Sequence, residues 1–160
     1  MITVRQFRDG DEDAFAALNL RWIEQFFVVE DSDRAQLENP QDNILASGGT
    51  IAIAESDGVV VGTAGLVPPH WTPADGRRWL ELVKMATDPA AQGQGVASKV
   101  IDFLISEAEQ AGIDAIWLET NSSLAAAVRL YERHGFRRLD QDALWPTPYA
   151  RCNLQMVREL

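Results

Sequence analysis

The amino-acid sequence predicts an α/β fold, one sheet with helices packed on its faces. Three observations carry that expectation. Strand-like runs follow one another between residues 50 and 87. The order then changes to strand, glycine turn, helix, strand, helix, strand. Finally, 160 residues with 46% hydrophobic content suffice to bury one full core, which makes residues 1–160 a single domain.

Taken in order, Ile2 and Val4 alternate toward Phe7 as a first strand. Asp11 then offers an N-cap for a helix with Phe15, Leu18, Trp22 and Phe26 on one stripe. Glu12 and Asp13 in its first turn suit the helix dipole. Residues 31–46 read as short helical pieces, with Pro40 as a further start signal, broken by Gly48 and Gly49. TIAIAE (50–55), the Asp57-Gly58 turn and VVVGTAGLV (59–67) form a hairpin pattern. A proline-rich loop leads to a third strand, WLELVKMAT (79–87). A helix over about 95–111 carries Val96, Val100, Leu104 and Ala108 and stops at Gly112. DAIWLET (114–120) is the next strand, followed by a helix over about 123–134 that ends at Gly135 and an extended tail from Ala150 to Leu160.

Charge and composition exclude several classes of function. Fourteen Lys and Arg against twenty-four Asp and Glu give a net charge of −10, which works against binding nucleic acid through its phosphates. The single cysteine, Cys152, has no partner for an internal disulfide, and no Cys/His cluster has metal-ligand spacing, so no metal is expected. His70 and His134 read as isolated surface residues. No run of eighteen apolar residues and no apolar segment of signal-peptide length at the amino terminus is present, so the expectation is a soluble, cytoplasmic chain without a membrane partner.

DPAAQGQGVASKVI (88–101) places Gly93 and Gly95 just before a helix. A helix amino terminus has unpaired N–H groups and partial positive charge, so a turn bare of side chains lets phosphate oxygens reach several donors at once. The plain alternative is a strand-to-helix turn that needs positive φ. A Walker loop requires a second glycine before the lysine, which GQGVASK lacks at Lys99. A dinucleotide fingerprint fits weakly, because Ser98 stands at its third glycine position and three strands precede it.

Gln92-Gly93-Gln94-Gly95-Val96-Ala97 resembles the Gln/Arg-x-x-Gly-x-Gly/Ala signature of the GNAT superfamily of acyl-CoA-dependent N-acyltransferases. NSSLAAAVRLYERHGF (121–136) resembles that family's Asn…Ala…Leu-Tyr-Glu…Gly-Phe segment. The likeness extends over nearly the whole chain, toward small members of which some are fused to a winged-helix DNA-binding domain; no such domain is expected in this chain. Thr87 and Ala91 depart from the usual pattern, at positions where an aliphatic and an aromatic are commoner. The resemblance implies a mixed, mostly antiparallel sheet splayed between its fourth and fifth strands, with acetyl-CoA wedged in the gap as cosubstrate. It places the pantetheine arm near Met85 and Thr87 and the diphosphate on the amides of residues 93–98, so that Met85, Ala86, Thr87, Gln92, Gly93, Gln94, Gly95, Val96, Ala97 and Ser98 are the expected cofactor-binding residues. Similar proteins often form dimers.

Each further candidate has two readings. By spacing with Leu124, Ala127 and Val128, Tyr131 is a core tyrosine; the resemblance makes it the acid that protonates the departing CoA thiolate. Asn121 starts the next helix or contacts cofactor. Glu81 sits in an otherwise apolar strand, where a buried carboxylate is costly unless paired or functional; it is a general base or an acceptor ligand, or half of an ion pair with a residue such as Lys84 or Arg151. Trp22, Phe26, Glu30 and Arg151 are candidates for the acceptor pocket, the aromatics with core packing as their alternative. The expected activity is transfer of an acetyl group to a primary amine of a small molecule or peptide by direct attack. A non-catalytic acyl-CoA sensor of the same fold is the alternative from another class, and a nucleotide-binding oxidoreductase the third.

Overall fold

A computed structural model describes residues 1–160. Strand β1 (Ile2–Gln6) leads into α1 (Glu12–Phe26) and α2 (Asp31–Glu38), and a single π turn (Gln41–Leu45) precedes the hairpin β2 (Thr50–Ser56) and β3 (Val59–Val67). Asp57 and Gly58 at the hairpin turn both have positive φ, 50° and 78°, the conformation that a two-residue turn between twisted strands requires. Then come β4 (Trp79–Thr87), α3 (Val96–Gln110), β5 (Ala115–Thr120), α4 (Ala125–Arg133), the two-residue β6 (Arg137–Arg138) and β7 (Leu154–Glu159). Asp11 holds the N-cap position of α1, but its carboxylate does not cap the helix. It accepts from both guanidinium nitrogens of Arg5 (2.7 and 3.0 Å) and from the Arg8 amide.

The seven strands form one sheet in the order β1-β2-β3-β4-β5-β7-β6. All neighbours are antiparallel except β4 and β5. That parallel pair is joined only from Trp79↔Ala115 to Glu81↔Trp117. Beyond it β5 continues against β7 as far as Thr120↔Leu154, and β4 continues against β3. The two strands part between these partners, so the sheet opens along 82–87 on one side and 118–120 on the other.

Alternation along β2 sets the two faces. Ala52 and Ala54 pack with α3, whose Val96, Val100, Ile101, Leu104, Ile105 and Ala108 are all buried. Ile51 and Ile53 face the other way, against Phe15 and Ile23 of α1 and Leu37 of α2. Full burial of each large aliphatic is worth about 1.5–3 kcal/mol, so this two-sided packing fixes the register of the sheet. Small residues on β2 and β3 let α3 lie close. At Gly62 a Cβ would collide with Cγ1 of Val96, the first residue of α3, so glycine there permits the helix start to sit down on the sheet. A third cluster of Trp71, Ala115, Trp117 and Val157 closes the sheet under the loop before β4. No helix is long and apolar enough to cross a membrane.

Candidate active site

The β3–β4 pairing contains a register shift between Thr63↔Ala86 and Gly65↔Val83, which leaves an extra residue on β4. Lys84 absorbs it with φ 54°, an uncommon conformation for a residue with a side chain. This bulge turns the backbone around Lys84 and Met85 toward the opening beside β5. At the end of β4, the Asp88 side chain accepts from the Ala90 amide (2.9 Å) and starts a short turn at Pro89–Ala91. The chain then runs through Gly93 (φ 81°) and Gly95 (φ 78°) into α3. A Cβ at either glycine would meet nothing within 4 Å, so the turn is open to an incoming group as well as permissive in φ. The first intrahelical amide bond is Lys99 to Gly95, which leaves the amides of Val96, Ala97 and Ser98 at the helix start without intrahelical partners. Open backbone, unpaired donors and the dipole of a fifteen-residue helix suit phosphate oxygens.

A pocket lined mainly by apolar side chains occupies the parting of β4 and β5. Glu81, Met85, Glu119, Asn121 and Tyr131 all lie on its wall, together with Trp22 from α1. Asn121 is braced within the protein: its amide donates to the Arg151 carbonyl (2.7 Å) and its oxygen accepts from the Ser123 amide (2.9 Å). Ala86, one residue past Met85, is buried in the core under α3 rather than on the pocket wall. Phe26 stands outside the wall and is 49% exposed, because the last residue of α1 turns away from the sheet; Phe27 lines the pocket in its place. Tyr131 is buried with its ring edge-on to Phe136 at 6.0 Å. Burial raises its phenol well above the usual value, so it stays protonated across the working pH range.

Two charged clusters meet at this pocket. In the first, Glu81 pairs neither with Lys84 nor with Arg151. Its Oε1 lies 2.9 Å from His70 Nδ1 and 3.3 Å from the His70 amide. His70 is exposed, as expected, but not isolated: it reaches over the site from the loop before β4, with Nε2 2.6 Å from the Pro146 carbonyl. The side chain of Glu119 is 4% exposed, and neither of its oxygens has a hydrogen-bond partner. Burial pushes its carboxyl up to about 7. The Glu81 charge adds to the rise, while Thr147, near but short of hydrogen-bond geometry, opposes it together with His70 and Arg151. Burial likewise raises Glu81, with His70 and Lys84 opposing. His70, Glu81 and Glu119 come within 4.8 Å of one another, a grouping that chain spacing does not show.

The second cluster centres on Asp33, which is fully buried. It accepts from Lys84 Nζ (2.6 Å) and from both terminal nitrogens of Arg151 (2.7 and 2.8 Å). Lys84 also reaches the Tyr149 hydroxyl at 3.1 Å. Burial alone would push Asp33 up, but the Arg151 hydrogen bonds and the Lys84 charge outweigh it and hold the carboxyl well below the usual range. Glu30, outside the pocket wall, accepts from Arg151 (3.2 Å) and from the Ala150 amide. Arg151 therefore reaches the pocket with its guanidinium already bound by acids of the α2 region. Burial pushes the Cys152 thiol up to about 12, so it is no thiolate nucleophile at neutral pH. His134, also expected to be free, is held by Ser98 (3.2 Å) and Asp102 (3.0 Å) beside the open turn.

Glu119, His70, Asp33 and Tyr149 join the site without having been singled out from the sequence. Glu119 had a readable signal, since it is a carboxylate in an apolar strand as Glu81 is. His70 and Asp33 had none, because a proline-rich loop and a charged DSDR run both read as solvent-facing.

Comparison with known proteins places this geometry among relatives. The acetyltransferase (GNAT) family model matches residues 15–136. The chain is 36% identical over 108 residues to YjgM of Escherichia coli K12, an uncharacterised N-acetyltransferase; the alignment covers 68% of this chain and 62% of YjgM, less than two thirds of that relative. An acetyltransferase of the GNAT family from Staphylococcus aureus Mu50 superposes with a TM-score of 0.85 at 24% identity, over 99% of both chains. The Salmonella typhimurium protein yncA, solved with acetyl-CoA, superposes with a TM-score of 0.72 at 24% identity, over 99% of this chain and 94% of its own.

The Asp33 cluster yields a stability test. Asp33→Asn leaves Lys84 without its buried counter-charge and Arg151 with Glu30 alone, a loss worth about 3–5 kcal/mol. A carboxyl depressed in the folded state stabilises above its unfolded value, near 3.9, and that contribution fades as pH falls through the folded value. Urea denaturation should therefore show the full deficit of Asp33→Asn at pH 7 and a shrinking one below about pH 4. Equal stability of the two proteins at pH 7 would show that the cluster does not hold α2 to the carboxy-terminal segment.

Proposed function

The chain belongs to the acetyltransferase (GNAT) family, and from that premise we propose that it moves the acetyl group of acetyl-CoA onto a primary amine by direct attack. One observation carries the reading: an open helix-start turn and a parted strand pair lead to a single pocket with carboxylates and a protonated phenol on its wall. The residues present fit the cosubstrate. The amides of residues 93–98 would hold its phosphates, and the backbone around Met85 its pantetheine arm. When bound, acetyl-CoA supplies an activated acyl carbon and a thiolate leaving group.

What this chain's residues do follows from their places. The wall of Trp22, Phe27 and Leu124 excludes water from the reacting end. The Glu81 and Glu119 pair takes the proton that the amine must lose before its nitrogen forms the new N–C bond. Backbone N–H groups near Met85 face the carbonyl oxygen as it gains charge. As the C–S bond breaks, the Tyr131 hydroxyl gives its proton to sulfur.

Two measurements test this. CoA should raise the melting temperature of the wild type by mass action, and Gly95→Glu, which puts bulk and negative charge on the open turn, should abolish that rise while the protein stays folded. Equal stabilisation of both proteins would remove the phosphate cradle. Acetyl transfer should then be assayed on a panel of polyamines, amino acids and peptides. Tyr131→Phe should bind acetyl-CoA nearly as well and lose roughly ten- to ten-thousand-fold in turnover. Full activity in a folded Tyr131→Phe would return the residue to a packing role, and no transfer by the wild type to any amine would favour an acyl-CoA sensor.

A further inference from the structure

The His70 ring has one nitrogen fixed by its partner. A carbonyl oxygen only accepts, so the 2.6 Å contact with Pro146 makes Nε2 the donor and puts a hydrogen on it. Nδ1 then faces Glu81 Oε1 at 2.9 Å. A neutral imidazole with its hydrogen on Nε2 has a bare lone pair at Nδ1, and an ionised carboxylate also only accepts. Two acceptors do not approach to hydrogen-bond distance without a proton between them. His70 and Glu81 together therefore hold one proton beyond a neutral ring and a carboxylate anion, and the pair has no net charge. Glu119 is different: its side chain is buried on the pocket wall and accepts no hydrogen bond on either oxygen, with His70 Nε2 3.9 Å from its Oε1.

From this asymmetry we infer that the two carboxylates divide the work: Glu119 receives the acceptor amine's proton, and His70 is a positioning residue that acts through Glu81. The division rests on the acetyl-transfer reading of the pocket. In the proton step the amine N–H bond breaks and a Glu119 O–H bond forms, while the proton between Nδ1 and Oε1 stays in place. The held proton offsets the Glu81 charge, which on its own favours the protonated form of Glu119. The other groups facing Glu119 come from the segment before β7: Thr147, Tyr149, Arg151 and Cys152. Tyr149 and Cys152 are neutral at working pH because burial raises both, and Arg151 is already bound by Asp33. Lys84 acts on Glu81 rather than directly on Glu119. His70 is thus the group whose loss most changes the charge beside Glu119. The same three side chains have the make-up of a divalent-cation site, but a spacing of 2.9 Å between Nδ1 and Oε1 is that of a hydrogen bond.

Carboxyl ¹³C NMR of the full chain, labelled at glutamate, tests this without any acceptor, with the Glu119 signal assigned by its disappearance in Glu119→Gln. In the wild type that signal should titrate above the ordinary glutamate value, raised by burial. His70→Gln, which unmasks the Glu81 charge, should move it up by about one pH unit or more. In the double variant His70→Gln with Glu81→Gln no anion remains to unmask, and the titration should return to its wild-type position. A merely structural histidine would not give an upward shift that the second substitution cancels. An unmoved titration in His70→Gln, or a Glu119 signal at the ordinary glutamate value near 4.3, would overturn the division of labour. So would ZnCl₂ stabilising the wild type but not His70→Gln, which would put a metal ion where we place the proton. If the NMR pattern holds while no amine on the panel is acetylated, the charge arrangement stands and the acetyl-transfer reading fails.

Discussion

The interaction on which the rest depends is one that stops. β4 and β5 pair for three residues and then part, because β4 stays with β3 while β5 follows β7. A buried strand edge is ordinarily a liability, since its N–H and C=O groups lack partners. Here those edges are the walls of the pocket, and nearly every group of interest is placed by its distance along them. Glu81 lies at the last paired rung, and Glu119 lies two residues beyond that rung's partner, Trp117. Lys84 and Met85 sit at the bulge that turns the β4 backbone into the gap, and the open glycine turn lies where β4 ends. The gap thus prepares backbone donors, an acid–base pair and an anion cradle along one line.

Opening a sheet this way brings ionisable groups into an apolar interior, where each unpaired charge is costly. The two clusters answer that cost differently. Asp33 is satisfied on all sides by Lys84 and Arg151, so it stabilises the wall made by α2 and the carboxy-terminal segment. Glu119 accepts no hydrogen bond, and its raised carboxyl expresses the cost of its burial directly. A fully paired cluster is suited to holding a shape. An unpaired group near neutrality is suited to exchanging a proton.

The sequence made local features legible and non-local ones not. The hairpin was readable because Asp57-Gly58 has few conformations open to it, and β4 because WLELVKMAT is bounded by breakers. The glycine turn was readable because open backbone before a helix has a distinct chemistry. Glu81 stood out as a charge in an apolar strand, but its partner could not be read. The histidine that pairs with it lies eleven residues back in a loop, and the ion pair expected with Lys84 or Arg151 went to Asp33 instead. Asp33 and Arg151 are 118 residues apart, and no periodicity reports such a contact. Phe26 continued the apolar stripe of Trp22, yet the helix ends there and the ring faces solvent. β6, two residues long, is too short to leave a pattern.

The most direct test of the account is a crystal structure of the chain with CoA. The phosphates should lie on the amides of residues 93–98, the pantetheine arm along β4 at Met85, and the sulfur in the gap between β4 and β5, within hydrogen-bond reach of the Tyr131 hydroxyl and facing the Glu119 side of the pocket. CoA bound away from the glycine turn, or a sulfur directed away from Tyr131 with the gap closed by side chains, would contradict it.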